Sequence, residues 1–137
     1  MSPRQSKALI NYINKLKSAM WLGQWNIEIM DDGDIDPDTF AAIDLVFGQR
    51  SATLRVCNDF FSFSPAKQRR ILTHELFHCY SADVQKQGEG LRKILGTVAH
   101  DAWFFGFTLA VEHMVEALSV FVAHENSTLL PLPKLPK

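Results

Sequence analysis

The stretch from Ile71 to Tyr80 constrains the fold and the chemistry of this chain more than any other. It contains the sequence H-E-x-x-H, formed by His74, Glu75 and His78. Residues four apart in an α-helix lie on the same face, about one turn from each other, so the two imidazoles can bind one metal ion. Imidazole nitrogen is a preferred zinc ligand, and a glutamate beside the pair can take a proton from an attacking water. The motif predicts zinc-assisted hydrolysis, provided that it lies in a helix.

The residues around the motif are typical of a helix. Ser64 is a good N-cap, Pro65 is favoured in the first turn, and no proline or glycine interrupts the run to Asp83. Gly88 and Gly90 offer a plausible end of the helix. The glycine-bearing stretch from Asp83 to Lys93 is predicted to be a polar loop that borders the site. A purely structural interpretation, in which both histidines are buried residues of a core helix, stays open. Burying two rings and a carboxylate together is costly unless they share a ligand.

The rest of the chain divides into short elements. Alternation and turn residues predict strands, and repeats at three and four residues predict helices. The alternating aspartates between Asp31 and Asp38 resemble a calcium-binding loop. However, Pro37 occupies the position of the required glycine, and Ile43 occupies the position of the required carboxylate. The pattern therefore favours a solvated acidic turn. The predicted elements are a helix from Pro3 to about Trp21, a strand from Trp25 to Met30, a hairpin of Ala41–Phe47 and Ala52–Val56, and a helix from Thr97 to His124 that is interrupted near Gly106.

A catalytic zinc site needs a third protein ligand, and the second long helix offers one. Glu112 and Glu116 lie four apart on one helical face, among residues otherwise suited to burial. Two buried like charges repel each other unless a cation lies between them. We predict that Glu112 binds the metal and that Glu116 accepts the second ring N–H of a ligating histidine, His74 in the preferred assignment. The reverse assignment, and a solvated stripe with no metal, stay open.

Three further residues are candidates for stabilising negative charge in the transition state. They are His100, Tyr80 and His113. His113 lies about 100° around the helix from Glu112, which makes it a weaker candidate as a ligand.

Composition limits the class of protein. At 137 residues and 47% hydrophobic content, the chain is the size of one domain with ample material for a core. A net charge of −1 disfavours a nucleic-acid surface, and Arg69 and Arg70 are interpreted as part of a solvated helix face. No apolar run is expected to reach the roughly 20 residues of a membrane span, and the polar N-terminus does not resemble a secretory signal. We expect a cytoplasmic protein in which Cys57 and Cys79 are reduced.

The order of these features resembles the minimal zincin metallopeptidases of the gluzincin type, which include SprT-like and ImmA/IrrE-like domains and small phage-encoded metallopeptidases. The resemblance implies one Zn²⁺ held by His74, His78 and Glu112. It implies that Glu75 is the general base, and that an edge strand, here Ala52 to Val56, aligns a peptide substrate. A phage-encoded member would act in the host cytoplasm. The chain lacks the third histidine of longer zincin motifs and the cysteine cluster of some SprT relatives, so the subfamily stays open.

The expected fold is therefore α+β and zincin-like. It comprises an N-terminal helix, a small, mostly antiparallel sheet of about three strands, the motif helix and a C-terminal helix with the third ligand. One domain is expected over residues 1–128, followed by a proline-rich tail over residues 129–137 that is either extended or disordered.

The predicted function is that of a zinc metallopeptidase acting on a protein or peptide. Two other hypotheses stay open. One is a zincin-like module that binds a host or regulatory partner, with zinc in a structural role. The other is a DNA-associated protease like the SprT group, which the near-neutral charge disfavours. The oligomeric state is left unknown.

Overall fold

The computed structural model describes residues 1–30, 36 and 38–137, and these residues form an α+β fold with a small three-stranded sheet, as expected. The predicted calcium-like or solvated acidic turn lies largely outside the described residues. Among the described residues the helices are α1 (Pro3–Ala19), α2 (Pro65–Gly90), α3 (Arg92–Leu95) and α4 (Thr97–Ala123), and the strands are β1 (Asn26–Ile29), β2 (Ala41–Val46) and β3 (Ser51–Val56). Helix α2 is central, because it packs on α4, on β2 and on α1.

Helix α1 is fixed at its start by side chains that satisfy the free backbone N–H groups. The Ser2 hydroxyl accepts from the backbone N–H of Gln5, and the Gln5 side chain accepts from the backbone N–H of Ser2, which forms a capping box. The helix ends two residues before the predicted Trp21, which adopts a positive φ of 55°. Its buried stripe faces the core and consists of Leu9, Tyr12, Ile13 and Leu16.

The three strands form a mixed sheet in the order β1-β3-β2. β2 and β3 form the predicted antiparallel hairpin, whereas β1 pairs with β3 in parallel, with Asn26 opposite Ser51. Six of the ten residue pairs of the sheet are antiparallel, as expected for a mostly antiparallel sheet, but the parallel pairing of β1 was not predicted. Strand alternation is the same in both directions, so the sequence pattern of β1 carries no information about its orientation. β3 is central, and β1 and β2 form the edges.

Helix α2 ends at Gly90, one of the two glycines that predicted its end. It therefore occupies most of the stretch at residues 83–93 that was expected to be a loop. A Cβ at Gly88 would lie 3.3 Å from ring atoms of Trp103 and Phe104, so this glycine permits close helix packing and does not end the helix. Helix α4 likewise continues through Gly106 without interruption.

Helix α4 is long and apolar enough to cross a membrane by length and composition alone. Its most apolar 18-residue window has a mean hydropathy of 1.5, and 17% of that window is buried. The expectation that no stretch of this kind exists is therefore wrong. A solvent-exposed apolar helix also calls for a partner that covers it.

The C-terminal tail is extended and packs on the domain through Arg69. This guanidinium is almost fully buried, with 1% exposure, and donates to the backbone carbonyls of His124, Ser127 and Leu130 at 2.8 to 2.9 Å. The Tyr12 hydroxyl donates to the carbonyl of Pro131 at 2.7 Å. The interpretation of Arg69 as a solvated residue is wrong, because Arg69 joins α2 to the end of α4 and to the tail.

Replacing Arg69 with methionine should destabilise the fold, because three carbonyls, two of them in buried hydrogen bonds, lose their donor. We expect the free energy of unfolding, measured in urea, to fall by about 2–4 kcal/mol. Arg4→Met, at an exposed position on α1, is the control and should change stability by less than about 0.5 kcal/mol. Equal stabilities of the two variants would show that Arg69 does not hold the tail.

Candidate metal centre

The two motif histidines lie on one exposed edge of α2. The ring centroids of His74 and His78 are 5.2 Å apart, and their side chains are 23% and 13% exposed. Each ring therefore has one side fixed by packing and one nitrogen directed towards solvent-accessible space. This is the arrangement that helical spacing predicts for residues four apart.

Glu112 of α4 completes a three-residue group with the two histidines. Its carboxylate oxygens lie 3.6 Å from His74 Nε2 and 3.5 Å from His78 Nε2. These distances are too long for good hydrogen bonds. Two tetrahedral zinc ligands, each about 2.05 Å from the ion, lie ~3.4 Å apart. The ligand atoms of all three residues fall within 4.8 Å of one another, so the group can hold one metal ion and leave a fourth position open.

Glu116 lies one turn further along α4 and orients His74. Its Oε2 is 3.2 Å from His74 Nδ1, and its Oε1 accepts from the Arg70 guanidinium at 2.5 Å. Burial acts to raise the pKa of Glu116, but the hydrogen bonds and charges of Arg70 and His74 outweigh burial and hold that pKa below its usual value. An ionised Glu116 favours the His74 tautomer with the proton on Nδ1, which leaves the Nε2 lone pair facing Glu112.

Glu75 is the most deeply buried acid of the site, with 8% exposure. Its pKa is raised to about 8, mainly by burial and in addition by the negative charges of Glu112 and Asp44, against the opposite effect of a hydrogen bond from the backbone of Ile43. Burial also lowers the pKa of His78, assisted by His74 and opposed by Glu112. His78 is therefore neutral near pH 7, which is the form that binds metals.

A cavity of about 1160 Å³ opens over these residues. Its walls are β2, the first half of α2 and the second half of α4. Ala52 to Val56 was expected to be the edge strand beside the site, but that segment is β3 in the centre of the sheet. The edge strand that borders the cavity is β2.

The structure does not bring the three suggested transition-state residues to the cavity. His100 is 4% exposed, and its Nε2 lies 3.1 Å from the carbonyl of Gly88. It precedes Glu112 by 12 residues, about 18 Å along the helix. The Tyr80 hydroxyl donates to the carbonyl of Met20, at the end of α1. His113 is exposed and is not part of the cavity wall.

Arg70 was expected to be solvated, and its side chain is 53% exposed, but its ion pair with Glu116 was not predicted. It lies four residues before His74, so it occupies the same face of α2 one turn earlier. That spacing was the available signal. The two cysteines are free, as expected, and Cys79 is buried in the core, where burial raises the pKa of its thiol to about 12.

No protein-family model, curated protein or solved structure matches this chain. The chemical interpretation of the site therefore rests on its geometry.

The geometry predicts different effects for the two glutamates of α4. Replacing Glu112 with alanine should remove a ligand and abolish stoichiometric zinc binding, as should His78→Ala. Glu116→Gln should keep zinc but weaken its affinity by about 10- to 100-fold, because only the orientation of His74 is affected. Metal analysis of the purified variants, followed by chelator competition, measures both effects. Zinc retained by Glu112→Ala and lost from Glu116→Gln would reverse the assignment.

Glu75 predicts a pH dependence of stability in zinc-free protein. Its pKa is about 8 when folded, against 4.5 as the ordinary value. The folded state therefore binds the proton of Glu75 more tightly than the unfolded state does, and this proton stabilises the fold. The stabilisation is fully present below about pH 4.5 and is lost as the pH rises through about 8. Between pH 5 and 8, the free energy of unfolding, measured in urea with a chelator present, should fall by about 3 kcal/mol more for wild type than for Glu75→Gln. Glu89→Gln, an exposed change on the same helix, should behave as wild type. Equal pH profiles for wild type and Glu75→Gln would contradict the raised pKa.

Proposed function

We propose that this chain is a zinc-dependent metallopeptidase of zincin-like fold that hydrolyses peptide bonds in a cytoplasmic protein or peptide. The observation that carries the proposal is the convergence of His74, His78 and Glu112 on one point, with Glu75 buried beside them. Zinc held there polarises a carbonyl and lowers the pKa of water to about 7.

Glu75 acts as the general base. Its carboxyl group is next to the ligand residues and borders the cavity. Burial favours the protonated form, but a divalent cation held by His74, His78 and Glu112 would favour the carboxylate. The carboxylate takes a proton from the attacking water, and the acid then gives this proton to the leaving amine. A carboxyl group that changes easily between its two forms suits both steps.

The edge strand β2 supports a peptide as the substrate. One edge of β2 pairs with β3. The other edge borders the cavity, which α2 and α4 also line with the candidate ligand residues. An extended peptide can add to such an edge through main-chain hydrogen bonds. Such binding places a peptide carbonyl along the line between β2 and the histidines.

Glu75→Gln should bind zinc as wild type does but lose about 10²- to 10⁴-fold in the rate of peptide cleavage. The assay is mass spectrometry of fragments from a denatured cell lysate incubated with zinc-loaded protein. Glu89→Gln, which removes an exposed carboxylate from the same helix, should cleave as wild type does.

A binding module is the second candidate, and the exposed apolar surface of α4 favours it. The same assay separates the two functions. If wild type and Glu75→Gln give identical fragments, the peptidase proposal fails and the binding function is favoured. If only wild type yields fragments and chelation abolishes them, the peptidase proposal stands.

A further inference from the structure

One face of α4, most of it directed away from α2, carries a regular apolar seam; of its members, Trp103 also packs with the edge of its ring on Gly88 of α2. Its members follow one another at spacings of four and three residues, none is charged, and all are exposed. Such spacing is typical of a helix face that packs on another helix. The main packing partners of α4 among the described residues are α2 and α3. The outer seam consists of Ala99, Trp103, Gly106, Ala110, Met114, Ala117 and Phe121.

Large and small side chains follow one another along the outer seam in an order that is self-complementary when two copies of the seam run in opposite directions. If two copies of α4 run antiparallel with Ala110 facing Ala110, each large side chain meets a small one. The pairs are Trp103 with Ala117, Met114 with Gly106, and Phe121 with Ala99. In a parallel pair, Trp103 would face Trp103 and Gly106 would face Gly106, which produces overpacking next to a void.

We infer that the outer seam is a homodimer interface, in which α4 pairs antiparallel with α4 of a second copy about a twofold axis at Ala110. A twofold axis requires a self-complementary surface, and the seam has this property. No like charges meet in this register. Residues 102–111 carry no charge. Asp101 would lie opposite Ser119 of the second copy, and Glu112 would lie opposite Thr108 of the second copy.

The exposed area is adequate for a dimer of moderate affinity. Trp103, Met114 and Phe121 are 41%, 47% and 70% exposed. With the flanking Leu109 and Val120, the seam offers roughly 600 Å² of accessible surface for burial on each copy. The total area that both copies would bury lies at the lower end of the range for specific interfaces. A bilayer fits less well, because the uncharged stretch of ten residues spans about 15 Å, half the thickness of the hydrocarbon core.

Dimerisation through the outer seam leaves the metal centre accessible. At 100° per residue, Glu112 lies about 160° around α4 from Ala110. The cavity therefore faces away from the second copy, and the dimer carries two outward-facing sites. The inference does not depend on the proposed peptidase function.

Sedimentation equilibrium between ~1 and ~200 µM tests the dimer. We expect wild type to be dimeric at the upper end, and Ala110→Lys to be monomeric there, because two ammonium groups would meet at the axis. Phe105→Lys is the matched control: Phe105 is 72% exposed but lies about 140° from the seam, so this variant should remain dimeric. Circular dichroism melting checks that both variants are folded. Monomeric wild type, or Ala110→Lys that remains dimeric, would overturn the interface.

Disulfide trapping tests the direction of the helices. Gly106→Cys and Met114→Cys, each in a Cys57→Ser background, are mixed, allowed to exchange and oxidised. The antiparallel register yields the mixed 106–114 dimer, whereas a parallel pair yields only 106–106 and 114–114 dimers and overturns the proposal. Wild type that stays monomeric and co-sediments with phosphatidylcholine vesicles would instead identify the seam as a lipid-binding face.

Discussion

The antiparallel packing of α2 on α4 is the interaction on which the rest of the structure depends. Its register is fixed at two places. At one end Gly88 allows Trp103 and Phe104 to approach the helix backbone, and at the other Arg69 donates to carbonyls beyond the end of α4. The histidine–glutamate contacts lie between these points. Because α2 advances by four residues while α4 retreats by four, His74 meets Glu116 and His78 meets Glu112. A slip of one turn would leave only one of the two histidines opposite a glutamate of α4.

The charges of the centre are ordered by this same packing. Three carboxylates converge on two imidazoles, and one guanidinium, that of Arg70, offsets part of their charge. Glu116 shares its two oxygens between Arg70 and His74, so its charge is compensated within the protein. Glu112 faces both histidine nitrogens and has no cationic side chain as a partner among the described residues. This division suits Glu116 to orienting His74 and leaves Glu112 available to a metal ion.

The sequence predicted the elements that local chemistry determines. Ser2 with Pro3, and Ser64 with Pro65, set the starts of α1 and α2, and helical spacing placed both histidines on one face. It did not predict features that depend on distant parts of the chain. The direction of β1 depends on its pairing with β3, and the length of α2 depends on two rings of α4 that pack against Gly88.

The roles of Arg69 and Arg70 illustrate the same limit. In the sequence they are two adjacent cations on a polar helix, and nothing local distinguishes them. In the fold, a rotation of about 100° sends one into the interior and the other to the rim of the cavity. The buried one meets main-chain carbonyls, which have no sequence signature.

The carbonyls that Arg69 binds extend to Leu130, which has a consequence for synthesis on the ribosome. The motif helix is complete when residue 90 has left the exit tunnel, but the helix that supplies Glu112 and Glu116 follows it, and its anchoring contact comes later still. The nascent chain therefore cannot assemble the metal centre while its first half folds. The group of His74, His78 and Glu112 is complete only after α4 has left the tunnel, so it can take up a metal ion only late in translation.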